Sequence, residues 1–347
     1  MNPANTHIHL PPNFSAFESV EQAVSLACDE DIGILGASNY YDFTVYSEFG
    51  TLCNQHSITP LFGVEIVLRL PELAEQGIRV NDPGNPGKMY LCGKALSRWK
   101  SPTEEANRIL QTIRDNDSAR MAAMVARLAE VFAEAGVVTG LDVTRIVDAI
   151  VSRYGCPRET VYLQERHVAQ AFQEALFRVA PPGERARALS AVLKAPTSAD
   201  DAGKAQGQIR GRLMKAGKPA FVEETYVGLD VGLRLIAELG GVPCYPVLAD
   251  GADAVCEYEA DVDALIANLT CLGIRHAEFI PVRNSPETLR QYVLPMRNAG
   301  FSVSAGTEHN TLDLIPLTPT CIDGKPIPDD VQAVFDEGAQ ALAEAQR

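Results

Sequence analysis

No part of the 347-residue sequence approaches the roughly 18 consecutive apolar residues that a membrane-spanning helix requires, and the first ten residues carry neither a basic nor an apolar leader segment. The expectation is a cytoplasmic chain with no membrane partner. Positive charge is also in short supply, with 30 Lys and Arg against 45 Asp and Glu and a net charge of −15. A surface of that sign repels phosphate backbones, so a small-molecule substrate is the expected partner and nucleic acid is not. The eight cysteines (Cys28, Cys53, Cys92, Cys156, Cys244, Cys256, Cys271 and Cys321) contain no C-x-x-C pair. They read as small core residues in a reducing compartment, not as a zinc-thiolate site or a disulfide frame. The chain has no Gly-rich dinucleotide fingerprint and no G-x-S-x-G elbow, and Gly211 and Gly217-Lys218 are wrongly spaced for a phosphate loop.

What is present is a globular composition, 46% hydrophobic and 22% charged, which excludes wholesale disorder. The length fits about two folding units, or one large α/β domain with an insertion. Short apolar runs at 6–10, 33–37, 59–68, 88–93, 241–249, 276–282 and 301–306 alternate with helical patterns at 19–30, 44–56, 227–239, 260–272, 286–299 and 329–345. That alternation is the pattern of an α/β sheet or barrel. Ser19 with Gln22, Ser101-Pro102 with Glu104, and Ser285-Pro286 supply helix starts. The stretch 97–222 has no convincing strand. It carries helical periodicity at 103–135, 142–153, 160–178 and 184–194, then a loosely ordered or partly helical segment at 195–218. It reads as a helical insertion subdomain between barrel segments 1–96 and 223–347.

Histidine is scarce, six in all, yet His7 and His9 lie two apart in the first strand. Residues i and i+2 of a strand face the same way, so both rings either address one metal ion or share a solvated face. Glu65 is a carboxylate inside the apolar run Phe62-Gly63-Val64-Glu65-Ile66-Val67; buried without a partner it would cost several kcal/mol, about 2–7 for a polar group. Glu308 and His309 follow the last strand, where an α/β barrel places its site. Asn39, Tyr40 and Tyr41 form a polar aromatic group at another strand end, and Asn81-Asp82-Pro83-Gly84 makes a stiff loop before Lys88.

These residues resemble the PHP (polymerase and histidinol phosphatase) domain, a distorted seven-stranded (βα)7 barrel of metal-dependent phosphoesterases. The resemblance spans most of the chain: H-x-H at His7 and His9, G-V-E-I at Gly63 to Ile66, Gly240-Gly241-Val242-Pro243, Ala277-Glu278-Phe279, and the Gly306 to His309 segment. The insertion is similar to the helical lid of the subgroup acting on nucleotides, with Arg166-His167-Val168-Ala169 near a lid motif. The departures fall on the ligands. Ser38-Asn39-Tyr40 stands where the family has T-D-H, Tyr90 replaces a histidine, and Tyr245-Pro246-Val247-Leu248 lacks another, leaving Asp250 as the nearest carboxylate.

The resemblance therefore implies one divalent ion (Zn, Mn or Fe) held by His7, His9, Glu65 and His309, with Asp250 or Glu308 as further ligands. It implies hydrolysis of a small phosphorylated metabolite or nucleotide by metal-bound hydroxide, with Arg166, His167 and Asn39 as catalytic residues and Tyr40, Tyr41, Lys88, Tyr90 and Arg283 contacting substrate. Two alternatives stay open: a non-hydrolytic barrel serving as a metabolite-binding or regulatory module, and a metal-dependent enzyme on an unphosphorylated substrate.

Overall fold

The structure is a computed structural model that describes residues 2–347. It begins with β1 (Ala4–Ile8), α1 (Val20–Asp29), β2 (Ile34–Ala37), α2 (Tyr46–Gln55) and β3 (Thr59–Phe62), whose strands form a parallel sheet in the order β1-β2-β3. In α1, Val20, Ala23, Val24 and Ala27 recur at helical spacing and are buried, and Ser19 caps the first turn by accepting from the Gln22 amide. The Gln22 side chain accepts from the Glu18 amide, one residue before the expected capping-box partner.

The chain leaves this sheet at Gly63. The run 59–68, expected as one strand, is two, because the residue between them passes too close to its neighbours for a side chain. A Cβ on Gly63 would lie 2.8 Å from Ser38 Oγ and 2.9 Å from the Gly93 carbonyl oxygen. Beyond it come β4 (Val64–Arg69), the short α3 (Pro71–Glu75) and β5 (Lys88–Lys94). The insertion contributes α4 (Glu104–Glu134), α5 (Val143–Tyr154), α6 (Glu165–Val179), α7 (Arg185–Leu193) and α8 (Ala202–Ile209). The strands resume with β6 (Val227–Gly228), α9 (Leu229–Glu238), β7 (Val242–Val247), α10 (Val262–Cys271), β8 (His276–Phe279), α11 (Pro286–Asn298), β9 (Ser302–Ala305) and α12 (Asp329–Ala345).

The second sheet runs β6-β4-β5-β7-β8-β9, with β5 antiparallel to both neighbours. Nine strands in two sheets thus replace the seven expected in one barrel, and closure into a continuous ladder is not detected among the described residues. The two sheets meet at the Gly63 crossing and at a parallel bridge between Ile8 and Glu308. There Gly306 permits the approach, since a Cβ on it would fall 2.4 Å from the His7 Cβ.

Two large apolar clusters hold the chain. One lies between the strands and α1, α2 and α9 to α12; the other is formed within the insertion. α4 belongs to both, with Ala106, Ile109, Leu110 and Ile113 in the first and Met121, Met124, Val125, Leu128 and Phe132 in the second. Between these stripes the helix presents polar residues, Asp117 and Arg120 among them, to a cavity. Its cap is Thr103, not Ser101, and accepts from the Ala106 amide. No helix among the described residues is long and apolar enough to cross a membrane.

Candidate functional site

The cavity, about 450 Å³, opens where the strand ends face the insertion. His7, His9 and Glu65 form its floor. His7 Nε2 stands 3.3 Å and His9 Nε2 3.2 Å from Glu65 Oε2, and the two nitrogens are 3.4 Å apart. All three residues are buried. Ligand atoms held at about 2.0–2.1 Å from a tetrahedral ion stand about 3.3 Å from one another, so these separations are those of three corners of one coordination sphere. The three residues fit a single divalent ion.

The floor is backed from behind. His7 Nδ1 lies 2.9 Å from Glu278 Oε1, and Glu278 Oε2 lies 2.8 Å from Lys94 Nζ. The Lys94 ammonium also donates to the Thr6 carbonyl at 3.0 Å and to Ser38 Oγ at 2.9 Å. A His7 Nδ1 proton directed at Glu278 leaves the Nε2 lone pair for an ion, which is the usual support of a metal-bound histidine. With no ion bound, burial and Lys94 oppose a proton on His7, but Glu278 and Glu65 outweigh them and raise its pKa to about 9. Glu278 is itself held at about 2, burial opposing and Lys94 and His7 prevailing. Neither Glu278 nor Lys94 was expected as a site residue, Glu278 entering only within Ala277-Glu278-Phe279, although a carboxylate inside the apolar strand β8 is the same kind of signal that marked Glu65. A second grouping, His7, Cys92 and Glu278, is already served by Lys94. Burial above all pushes the Cys92 thiol well above its ordinary range, so that sulfur stays protonated.

Tyr40 donates its hydroxyl to Glu65 Oε1 and stacks on the His9 ring, with centroids 5.3 Å apart. Tyr41, Lys88, Tyr90, Arg166, Arg283 and Glu308 also line the cavity. Glu308 is committed to Arg283, which donates to both its carboxylate oxygens, and to the Asn310 amide. Lys88 pairs with Asp82 and Glu224, each at 3.1 Å. The 81–84 loop, open in the sequence between a plain turn and a pocket wall, lines the cavity.

Four expected site residues are placed elsewhere. His309 does not reach the floor: Nδ1 meets Thr307 Oγ1 at 2.7 Å, Nε2 meets the Ile315 carbonyl at 2.9 Å, and the ring stacks on Phe17. The cause is local, because Glu308 and His309 both adopt positive φ (59° and 51°). That turn aims the first side chain into the cavity and the second away from it. Asp250 is a cap, accepting from the Ser285 amide and Thr288 Oγ1 at the start of α11. Asn39 clamps the backbone, its amide accepting from the Leu10 N–H and donating to the Leu10 carbonyl. His167 caps α6 by accepting from the Gln164 N–H, and burial lowers its pKa to about 3.

The insertion supplies groups that the sequence did not single out. Glu165 receives Arg120 at 3.0 Å, Lys215 at 2.6 Å and Arg210 at 3.5 Å. Each of these helical charges looks like an ordinary solvated residue until the fold turns it inward. Six cations and five carboxylates line the cavity, a balance unlike that of the acidic chain as a whole.

No protein-family model matches the chain, and no curated protein matches it by sequence. Solved structures do match in fold. An amidohydrolase from Chromobacterium violaceum, with bound sulfate and no metal, is 16% identical with a TM-score of 0.59, over 98% of this chain and 99% of that one. A protein from Bifidobacterium adolescentis assigned as a metal-dependent phosphoesterase is 16% identical with a TM-score of 0.62, over 97% of this chain and 98% of that one. The α/β fold is therefore shared with these two structures along nearly the whole chain.

Proposed function

We propose that this protein is a metal-dependent hydrolase of a small phosphorylated metabolite or nucleotide, with His7, His9 and Glu65 holding one Zn²⁺, Mn²⁺ or Fe²⁺. The observation that carries this reading is the mutual spacing of the two Nε2 atoms and Glu65 Oε2, 3.2 to 3.4 Å. A divalent ion bound there would polarise a phosphoryl oxygen and acidify a water molecule. The chain's own residues do the rest. Glu278 fixes the His7 ring and its tautomer, and Tyr40 fixes the Glu65 carboxylate by holding Oε1. Arg166 reaches into the cavity with only the neutral Asn310 Oδ1 against it, at 3.3 Å, so its guanidinium is available to the charge on a phosphoryl group. The names of the two similar structures, one holding sulfate and one assigned to phosphate esters, support the same reading.

The test is metal analysis of the purified protein together with a phosphatase screen. About one equivalent of metal and turnover lost in His7→Ala are expected; no metal, no turnover and an unchanged His7→Ala protein would reject the proposal. A binding module without hydrolysis is the second reading, favoured by the side chains at the departed ligand positions, since Asn39 and Tyr40 are already engaged within the protein. Thermal stabilisation by a phosphorylated metabolite without its consumption would select it.

A further inference from the structure

The charges around the cavity are almost entirely answered from within the protein. Glu65, Asp82, Glu165 and Glu308 each accept hydrogen bonds or ion pairs at 3.3 Å or closer, and the cations opposite them are thereby committed. Two groups are left over. Arg166 has no carboxylate partner, only Asn310. Asp117, on α4, accepts no side-chain hydrogen bond among the described residues. Its nearest cation is Arg120 Nη1 at 3.9 Å, and the same guanidinium already donates to Glu165 and to the Val222 carbonyl.

Both leftover groups are largely shielded from water. The Asp117 side chain is 15% exposed, and a carboxylate so placed without a donor is costly. Burial pushes its pKa up to about 6. Burial, then the neighbouring charge of Arg210, lowers that of Arg166 to about 10. Each would gain from a ligand group of opposite charge. The two do not pair with each other, and their own contacts differ: Arg166 donates to Asn310, which in turn donates to Glu308, whereas Asp117 lies on α4 beside Arg120. Tyr41 lines the cavity as well, and Asp117 is the leading charge acting on its phenol after burial, whereas the Tyr226 ring already faces Lys88 and Arg120. A cation resting by Asp117 would therefore have aromatic surface nearby, which favours it further.

We infer that the ligand is a phosphate monoester with a protonated amine at its far end, its phosphate taken by Arg166 and its ammonium by Asp117. This rests on the phosphate-binding reading above and adds the amine. Calorimetric titration of the full-length protein with two series of alkyl phosphonates of graded chain length, one ending in an amine and one in a methyl group, tests it without turnover. At the best-fitting length the amine is expected to tighten binding about tenfold or more. Asp117→Asn should lose that preference while binding the methyl series as before, which also shows that the variant is folded, and Arg166→Gln should weaken both series. Equal binding of both series at every length, or a preference that survives in Asp117→Asn, overturns the inference alone. Failure of both series to bind overturns the phosphate reading together with it.

Discussion

The floor and the roof of the cavity use charge in opposite ways. On the floor, two imidazoles and a carboxylate aim their lone pairs at one another across 3.2 to 3.4 Å, an arrangement that makes sense only around a positive centre, whether a proton or a metal ion. On the roof, Arg120, Arg210 and Lys215 gather on Glu165 and outweigh its single charge. A site whose lone pairs converge asks for a guest, whereas one whose ions pair with each other shapes a wall. Within one cavity the two styles separate the groups that would do chemistry from those that would select what reaches it.

The sharpest way to break this comparison is Glu65→Gln. It keeps the shape of the floor and removes its anionic ligand, so metal affinity should fall by about a thousandfold, more than the 10–100-fold typical of an outer partner; elemental analysis after dialysis reads the loss. Glu278→Gln comes next. It should lower metal affinity about 10–100-fold and leave the Lys94 ammonium buried without a counter-charge, costing about 3–5 kcal/mol in urea unfolding. Adding Lys94→Met should recover much of that stability but not the metal affinity, which separates support of the ion from support of the fold.

His167 gives a smaller effect, dependent on pH. Its folded pKa lies below the unfolded value, so the neutral form is favoured in the fold. The associated stability is complete above about 6.5 and lost as pH falls toward about 3. His167→Gln should therefore be less acid-sensitive than the parent by about 1.4 kcal/mol per pH unit in that window, as measured by urea midpoints at pH 7 and pH 5. The smallest change in metal content belongs to His309→Gln. Since this ring bonds Thr307 and Ile315 away from the floor, the metal-to-protein ratio should stay at the parent's value, and a drop would restore His309 as a ligand.

Most of the α/β order was legible because helices and strands announce themselves by spacing and caps. α12 begins and ends where its pattern does, and Ser285 caps α11 as its position suggested. On the floor, the strand period placed His7 beside His9, and the cost of burying charge marked Glu65. The rest depended on information that no local pattern holds. His309 is turned away by two successive left-handed residues, a backbone choice that side-chain type does not announce. Asp117 lies in a long helix full of exposed charges, and only the packing of both ends of α4 decides which of them faces inward. The break at Gly63 hides inside an unbroken apolar run, since the clash that forbids a side chain there comes from Ser38 and Gly93, distant in sequence.

The Lys94 ammonium has one further implication. A cation that is part of the chain cannot be chelated, diluted or exchanged for another species. Starving the protein of trace elements would empty the bottom of the basin yet leave Glu278, and through it the orientation of the first imidazole, where they were. Reloading then needs only diffusion of an ion into a receptacle that is already in shape.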